Sequence, residues 1–219
     1  LMVPGVGYAM AQGGRDEAFM ERTDDATLAQ RLVRMKARVS GDTVVFPRGR
    51  YSIEEDLILP VGHTVILEQG ARFEIAPQRN VLCQGPLVVR GTRRNPVFVR
   101  AQQKDAPFGT FALHSSNNVQ CVISGLLISG GSGAVVNGIR HEGMVSIHGA
   151  GSVAMSDCVI EGALGRNALR IVGGAITLSG CDFEGDRDLA SMDHVTGSVR
   201  GCSFKGGKAE SVADGLKLS

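Results

Sequence analysis

Tryptophan is absent from the 219 residues, tyrosine occurs twice, and all aromatics together make up 5%. A core without large rings must be filled by β-branched and aliphatic side chains, and a sugar-stacking cleft has few rings to draw on. Net charge is also nearly missing. Lys+Arg is 23 against Asp+Glu 22, a formal charge of +1. A general polyanion binder carries a basic excess, so nucleic acid is excluded as a non-specific partner. No apolar run approaches the ~18 residues that a membrane span needs. The five cysteines (83, 121, 158, 181 and 202) contain no C-x-x-C pair, which argues against a zinc knuckle. With 43% hydrophobic and 21% charged residues, the chain is too apolar to be disordered. Glycine is what abounds: 30 residues, about twice the average share of ~7%. The length suits one domain.

The first 23 residues read as a signal-like tail and linker. Residues 1–11 are apolar and end in Ala9-Met10-Ala11, an A-x-A-like pattern before a polar shift at Gln12-Gly13-Gly14. This implies a secreted, periplasmic or cell-surface protein. Residues 24–40 then carry one helix. Leu28, Leu32, Met35 and Val39 recur at helical spacing, and Ser40-Gly41-Asp42 stops it.

After Gly41 short strand-like runs alternate with Gly, Asn, Ser and Asp. The first are predicted at 43–46, 56–59, 64–67, 72–75, 86–89 and 96–99. The second half repeats itself. Gly151-Ser-Val-Ala-Met-Ser-Asp-Cys-Val-Ile-Glu-Gly162 matches Gly174-Ala-Ile-Thr-Leu-Ser-Gly-Cys-Asp-Phe-Glu-Gly185, with a shortened copy at Gly197-Ser-Val-Arg-Gly-Cys-Ser-Phe-Lys-Gly206. The steps from Leu126 to Cys158, Cys181 and Cys202 are 32, 23 and 21 residues. A Gly-rich insertion at 131–138 explains the longest. Three short strands and three turns fit in ~20 residues, at ~3.3 Å per strand residue. A stacking coil of that size is a parallel β-solenoid rung. Inward columns follow: Met155, Leu178 and Val199 in one, Ile160, Phe183 and Phe204 in another. Three cysteines share one repeat position and are expected to stack as buried thiols. A disulfide between adjacent rungs is the alternative in an oxidising compartment.

Gly41-Asp-Thr-Val-Val-Phe-Pro-Arg-Gly-Arg-Tyr51 resembles the opening rung of right-handed parallel β-helices of the pectin-lyase-like superfamily. Val61-Gly-His-Thr-Val-Ile-Leu-Glu-Gln-Gly-Ala71, Pro86-Leu-Val-Val-Arg-Gly-Thr92 and Pro96-Val-Phe-Val99 resemble its next rungs. The second half is similar to a bacterial surface subset of that superfamily. The resemblance implies an all-β fold, a right-handed parallel β-helix over 42–219 with an N-terminal amphipathic capping helix at 24–40. It implies no single activity, because lyases, hydrolases, epimerases and non-catalytic binders share the fold.

The candidate site is an outward strip. With Leu169, Ile171, Leu216 and Leu218 pointing inward, Arg170 and Lys217 point out, and Asp193 is expected between them. Ser146 and Ala112 continue that column on earlier rungs. His114 and His148 stack beside it with Val172. His194 flanks the strip, with its direction left open, and Asp214 lies near the end. Two readings compete. In one, Arg170, Lys217, His148 and Asp193 form catalytic machinery and His114, Ser146, His194 and Asp214 bind substrate. β-Elimination at a uronic acid needs a base for the C5 proton and a cation for the carboxylate, and His148 could exchange a proton near neutral pH. In the other, Arg170–Asp193–Lys217 is a solvated ladder that needs no substrate. Charge alternation favours the ladder. It also disfavours calcium, which wants several carboxylates together, so no metal or cofactor is expected. Arg90, Arg93, Arg94 and Arg100 make a basic patch around one turn. Gly130-Gly-Ser-Gly133 lacks the P-loop Lys.

The sequence stops at Asp214-Gly-Leu-Lys-Leu-Ser219, mid-strand. An open solenoid end exposes core and an unpaired edge, so a further segment or a second subunit is expected to cover it. The first functional expectation is a secreted or surface protein that binds a polysaccharide or a protein partner without catalysis. The alternative is a lyase or epimerase on uronic-acid polymers.

Overall fold

The computed structural model describes residues 25–115, 119–206, 209–211 and 216–218. The signal-like tail therefore lies outside the described residues, as does Asp214. One helix, Asp25–Arg34, opens the described chain. It is shorter than predicted. Lys36 adopts a left-handed conformation (φ 62°). The amides of Ala37 and Lys36 then donate to the carbonyls of Leu32 and Val33, each at 2.9 Å. That is a Schellman close, with Leu32 and Ala37 buried beside each other in the core. Beyond it, Arg38–Ser40 is a strand antiparallel to Thr43–Phe46. Val39, counted in the helical stripe, is exposed. Leu28 and Leu32 are buried in the core, and Arg31 anchors the helix by donating to the carbonyls of Asp56 and Glu55 at 2.6 and 2.7 Å.

The rest is mostly parallel strand in curled sheets, in three stacks. The first holds Thr43–Phe46, Thr64–Glu68, Leu87–Arg90, Gln120–Ser124 and Ser152–Ser156. The second runs from Gly49–Ile53 through Ala71–Ile75, Val97–Ala101, Leu126–Ser129, Val159–Glu161 and Asp182–Gly185 to Ser203–Gly206. The third comprises Leu57–Leu59, Val81–Cys83, Phe111–His114 and Gly143–His148. Two long strands, Asn167–Ser179 and Asp188–Arg200, join the third stack to the first. The former bends at Gly173 and Gly174 (φ 73° and 94°), the latter at His194 (φ 54°). These bends merge two stacks into one curled sheet.

Alternation explains the packing. In Thr64–Glu68 and Val97–Ala101 every second side chain is buried and the others face outward. The column Met155–Leu178–Val199 is in register, as the repeat predicts. So is Ile160–Phe183–Phe204, where the last two rings stack at 4.8 Å. Cys158, Cys181 and Cys202 each precede a paired second-stack strand and follow Leu126 along the axis. All five cysteines are free thiols, and only Cys202 is not fully buried. Few aromatics suffice because they cluster. Phe46, Tyr51 and Phe73 meet at 5.0–5.2 Å near one end of the core. The Tyr51 hydroxyl donates to the carbonyl of Pro47 at 2.6 Å, which closes the Pro-Arg-Gly-Arg turn on itself.

Candidate functional site

The insertion at 131–138 is the start of a hairpin. Ala134–Val136 pairs antiparallel with Ile139–His141. Asn137 and Gly138 both have positive φ, 49° and 76°, the pair that a two-residue type I′ turn requires. The hairpin is rooted by Gly133 donating to the Gly109 carbonyl at 2.7 Å and by Leu164 donating to Gly131 at 2.8 Å. Its Ala134 and Val136 lie on the outside of the third stack, against Ile58, Leu82 and Ala112. The surface expected to face solvent is thus covered. Leu82 and Ala112 are buried, and so is Ser146, whose hydroxyl donates to the Gly143 carbonyl at 3.2 Å and accepts from its amide at 3.1 Å. Ser146 is therefore no outward binding residue.

Beside this apolar contact three imidazoles meet. His114 and His148 are register partners on adjacent strands, as expected, with ring centroids 5.8 Å apart. His141 arrives from the hairpin, 4.8 Å from His148 and 6.1 Å from His114. It is 1% exposed, and neither of its ring nitrogens has a hydrogen-bond partner. Nδ1 of His114 and Nε2 of His148 are likewise buried and unpaired. Burial pushes all three below the ordinary imidazole value. His141 falls to about 4, first by desolvation and then by its two neighbours. His148 is also lowered by His114 and Arg170, against an opposing effect of Glu142. Among the described residues no three His, Cys, Asp or Glu side chains stand together as metal ligands.

Arg170 borders the cluster and is 14% exposed. Its Nη1 donates to Ser191 Oγ at 2.9 Å, its Nη2 to the Asp193 carboxylate, and its Nε lies 3.9 Å from Glu142. The hydrogen bond from Arg170 holds the Asp193 carboxyl below its usual range. The register differs from the expected strip. Arg170 faces Ser191, whereas Asp193 faces Val172, so the ion pair is diagonal. Lys217 faces Ser198 in the first stack, well away from Arg170. The reason is one strand that the sequence pattern concealed: Ala209–Ser211 takes the third-stack place beside Ala190–Met192, which moves Leu216–Leu218 one stack on. His194 is exposed at its bend. Two arginines of the basic patch are held in ion pairs. Arg93 holds Asp157 and Asp182, each at 3.0 Å, and Arg100 pairs with Glu74.

His141 is the site residue that sequence reasoning missed. Its signal was present: Val135-Val136-Asn137-Gly138-Ile139 is a hairpin pattern, with Asn-Gly between β-branched residues. On the opposite side an open depression of about 470 Å³ is lined by Glu161, Glu184, Asp186 and Lys205. There Glu161, Glu184 and Lys205 share one register column, so the lysine offsets the like charges.

Comparison with protein-family models, with curated proteins and with solved structures finds no match.

Proposed function

We propose that this protein is a right-handed parallel β-helix of the pectin-lyase-like kind, secreted or displayed at a cell surface, that binds a protein partner without catalysis. The observation that carries this reading is the outer face of the first stack. Val45, Ile66, Val88, Val122, Ala154, Thr177 and Ser198 follow one another in register as a single outward column. Val122 is 50% exposed at its middle. The neighbouring columns are mainly Thr, Ser, Gln and Ala, and Glu68, Arg90 and Arg200 keep to one edge. Seven strands at ~4.8 Å make a weakly charged face about 30 Å long. An aliphatic stripe between hydroxyl rows suits a protein surface. A sugar polymer would find no ring on this face among the described residues.

The catalytic reading asks for a free base or a cation turned to solvent. Arg170 instead is bound to Ser191 and Asp193, and His114 and His148 are half-buried against His141 of the hairpin. The test pairs a Val122→Lys/Thr177→Lys double variant with the wild type. Both are offered to purified surface proteins, to glycan arrays and to uronate polymers. The reading expects a protein ligand whose binding the double variant loses and moderate salt does not weaken. Unsaturated products from a uronate polymer, or protein binding untouched by the two lysines, would overturn it.

A further inference from the structure

Three histidines, a hairpin and an apolar patch beneath it form one unit. The hairpin contributes His141, and the body contributes His114 and His148. Four of their six ring nitrogens are buried without a partner: both on His141, Nδ1 of His114 and Nε2 of His148. Such a group tolerates burial only while neutral, since an uncompensated buried charge is costly. The charged groups around the cluster do not offer a ready counterion. On its own hairpin strand, Arg140 is exposed and points away from the body, opposite Val135. From the long strand Asn167–Ser179, Arg170 adds positive charge beside His148. Glu142 is the nearby carboxylate from the segment after the hairpin, and it already faces Arg170 at 3.9 Å. From Asp188–Arg200, Asp193 is taken by Arg170, and His194 is a further basic group.

We infer that the hairpin spanning residues 134–141 is an acid-released flap: protonation of His141, where it meets His114 and His148, lifts it from the third stack and uncovers Ile58, Leu82 and Ala112. The hinge is the glycine-rich root at 131–133, where the chain turns through Gly133 at φ 98°. What holds the flap down is a small apolar contact, Ala134 and Val136 against those three side chains. A contact of that size is weak enough for one buried charge to undo. Neutral imidazoles keep the flap closed. Acid favours the open form because there His141 regains water and an ordinary affinity for protons.

The direction follows from linkage. His141 titrates at about 4 when closed and near ~6.5 when open. The flap is then fully held above about pH 6.5 and loses its hold as the pH falls toward 4. At pH 5 His141 alone shifts the opening equilibrium by about 30-fold relative to pH 8.

Amide hydrogen exchange of residues 134–141, corrected for the intrinsic pH dependence of exchange, reads the opening directly. From pH 8 to pH 5 the expected result is an increase of about 30-fold there, with Val97–Ala101 unchanged. His141→Phe keeps a ring in place and removes the proton site, so its exchange should be independent of pH. NMR titration of the imidazole protons in the wild-type chain needs no variant, and should place the His141 midpoint well below 6.5. A corrected rate at 134–141 that does not change with pH overturns the flap. So does a pH dependence that survives in His141→Phe, or a His141 midpoint at the ordinary value. If His141→Phe does not fold, the wild-type exchange and titration decide between the same outcomes.

Discussion

At the residue scale, buried polar groups without alternatives are the costly ones. Asn80 is 5% exposed, donates to Asp56 at 3.1 Å through its side chain, and accepts from the Thr110 amide at 3.0 Å. Asn80→Ala strands that amide and the Asp56 oxygen at one corner of the stack. Chemical denaturation should show a loss of ~2–3 kcal/mol. Arg170→Ala is expected to cost less, ~1–2 kcal/mol at neutral pH, because Asp193 is 40% exposed and its share is screened by solvent. The pH dependence has a definite direction. Asp193 titrates low when folded, so its contribution is present above about pH 4 and disappears as the pH falls through the folded value. In Arg170→Ala the Asp193 carboxyl should return toward its ordinary range by NMR titration. The Arg170–Asp193 pairing was legible in the sequence from charge and alternation. Its diagonal register was not, because a strand pattern fixes side but not the offset between two bends. His141 was illegible as a neighbour of His114 and His148. Its contacts arise only when the hairpin folds back over strands distant in sequence.

At the element scale, two glycines separate two kinds of constraint. Gly138 sits at φ 76° with open space where a Cβ would go. Gly138→Ala should therefore strain only the hairpin turn, by ~1–2 kcal/mol, and raise exchange in 134–141 while leaving the body's melting temperature nearly constant. Gly197 is a different case. A Cβ there would stand 1.7 Å from the carbonyl oxygen of Ile176 on the adjacent strand. Gly197→Ala must push two strands apart and should lower the melting temperature of the whole protein or prevent its expression in folded form. The element boundaries follow the same logic of local against distant causes. Strands at 43–46 and 64–67 were readable because period-two alternation is local. The end of the helix was not, since it depends on Lys36 taking a left-handed conformation that glycine or asparagine usually supplies.

At the scale of the whole molecule, each strand pairs mainly with its two neighbours in a stack, so energetic coupling should fade within a few strands. Phe46 lies near one end of the core and Leu178 in the second half. Phe46→Leu and Leu178→Ala should add within ~0.5 kcal/mol when combined, whereas Met155→Ala with Leu178→Ala, register partners, should not. Denaturation of the three single and two double variants checks this. The in-register columns were visible in the sequence because equivalent positions on successive strands of a stack face the same environment and so carry similar residues.

The row of sulfurs gives this architecture its own ruler. Cys202 is the least buried thiol, with Cys181 and Cys158 behind it before successive strands of the second stack and Cys121 and Cys83 in the earlier half. Among the buried thiols Cys181 is lowered by its hydrogen bond with Cys158, whose own thiol is pushed up. In mild denaturant a thiol reagent would keep time on the separation of the stacked strands. If the structure frays from its last described strands, labels accumulate in the order 202, 181, 158, and mass spectrometry reads how far the opening has travelled. A single concerted transition would modify all five together.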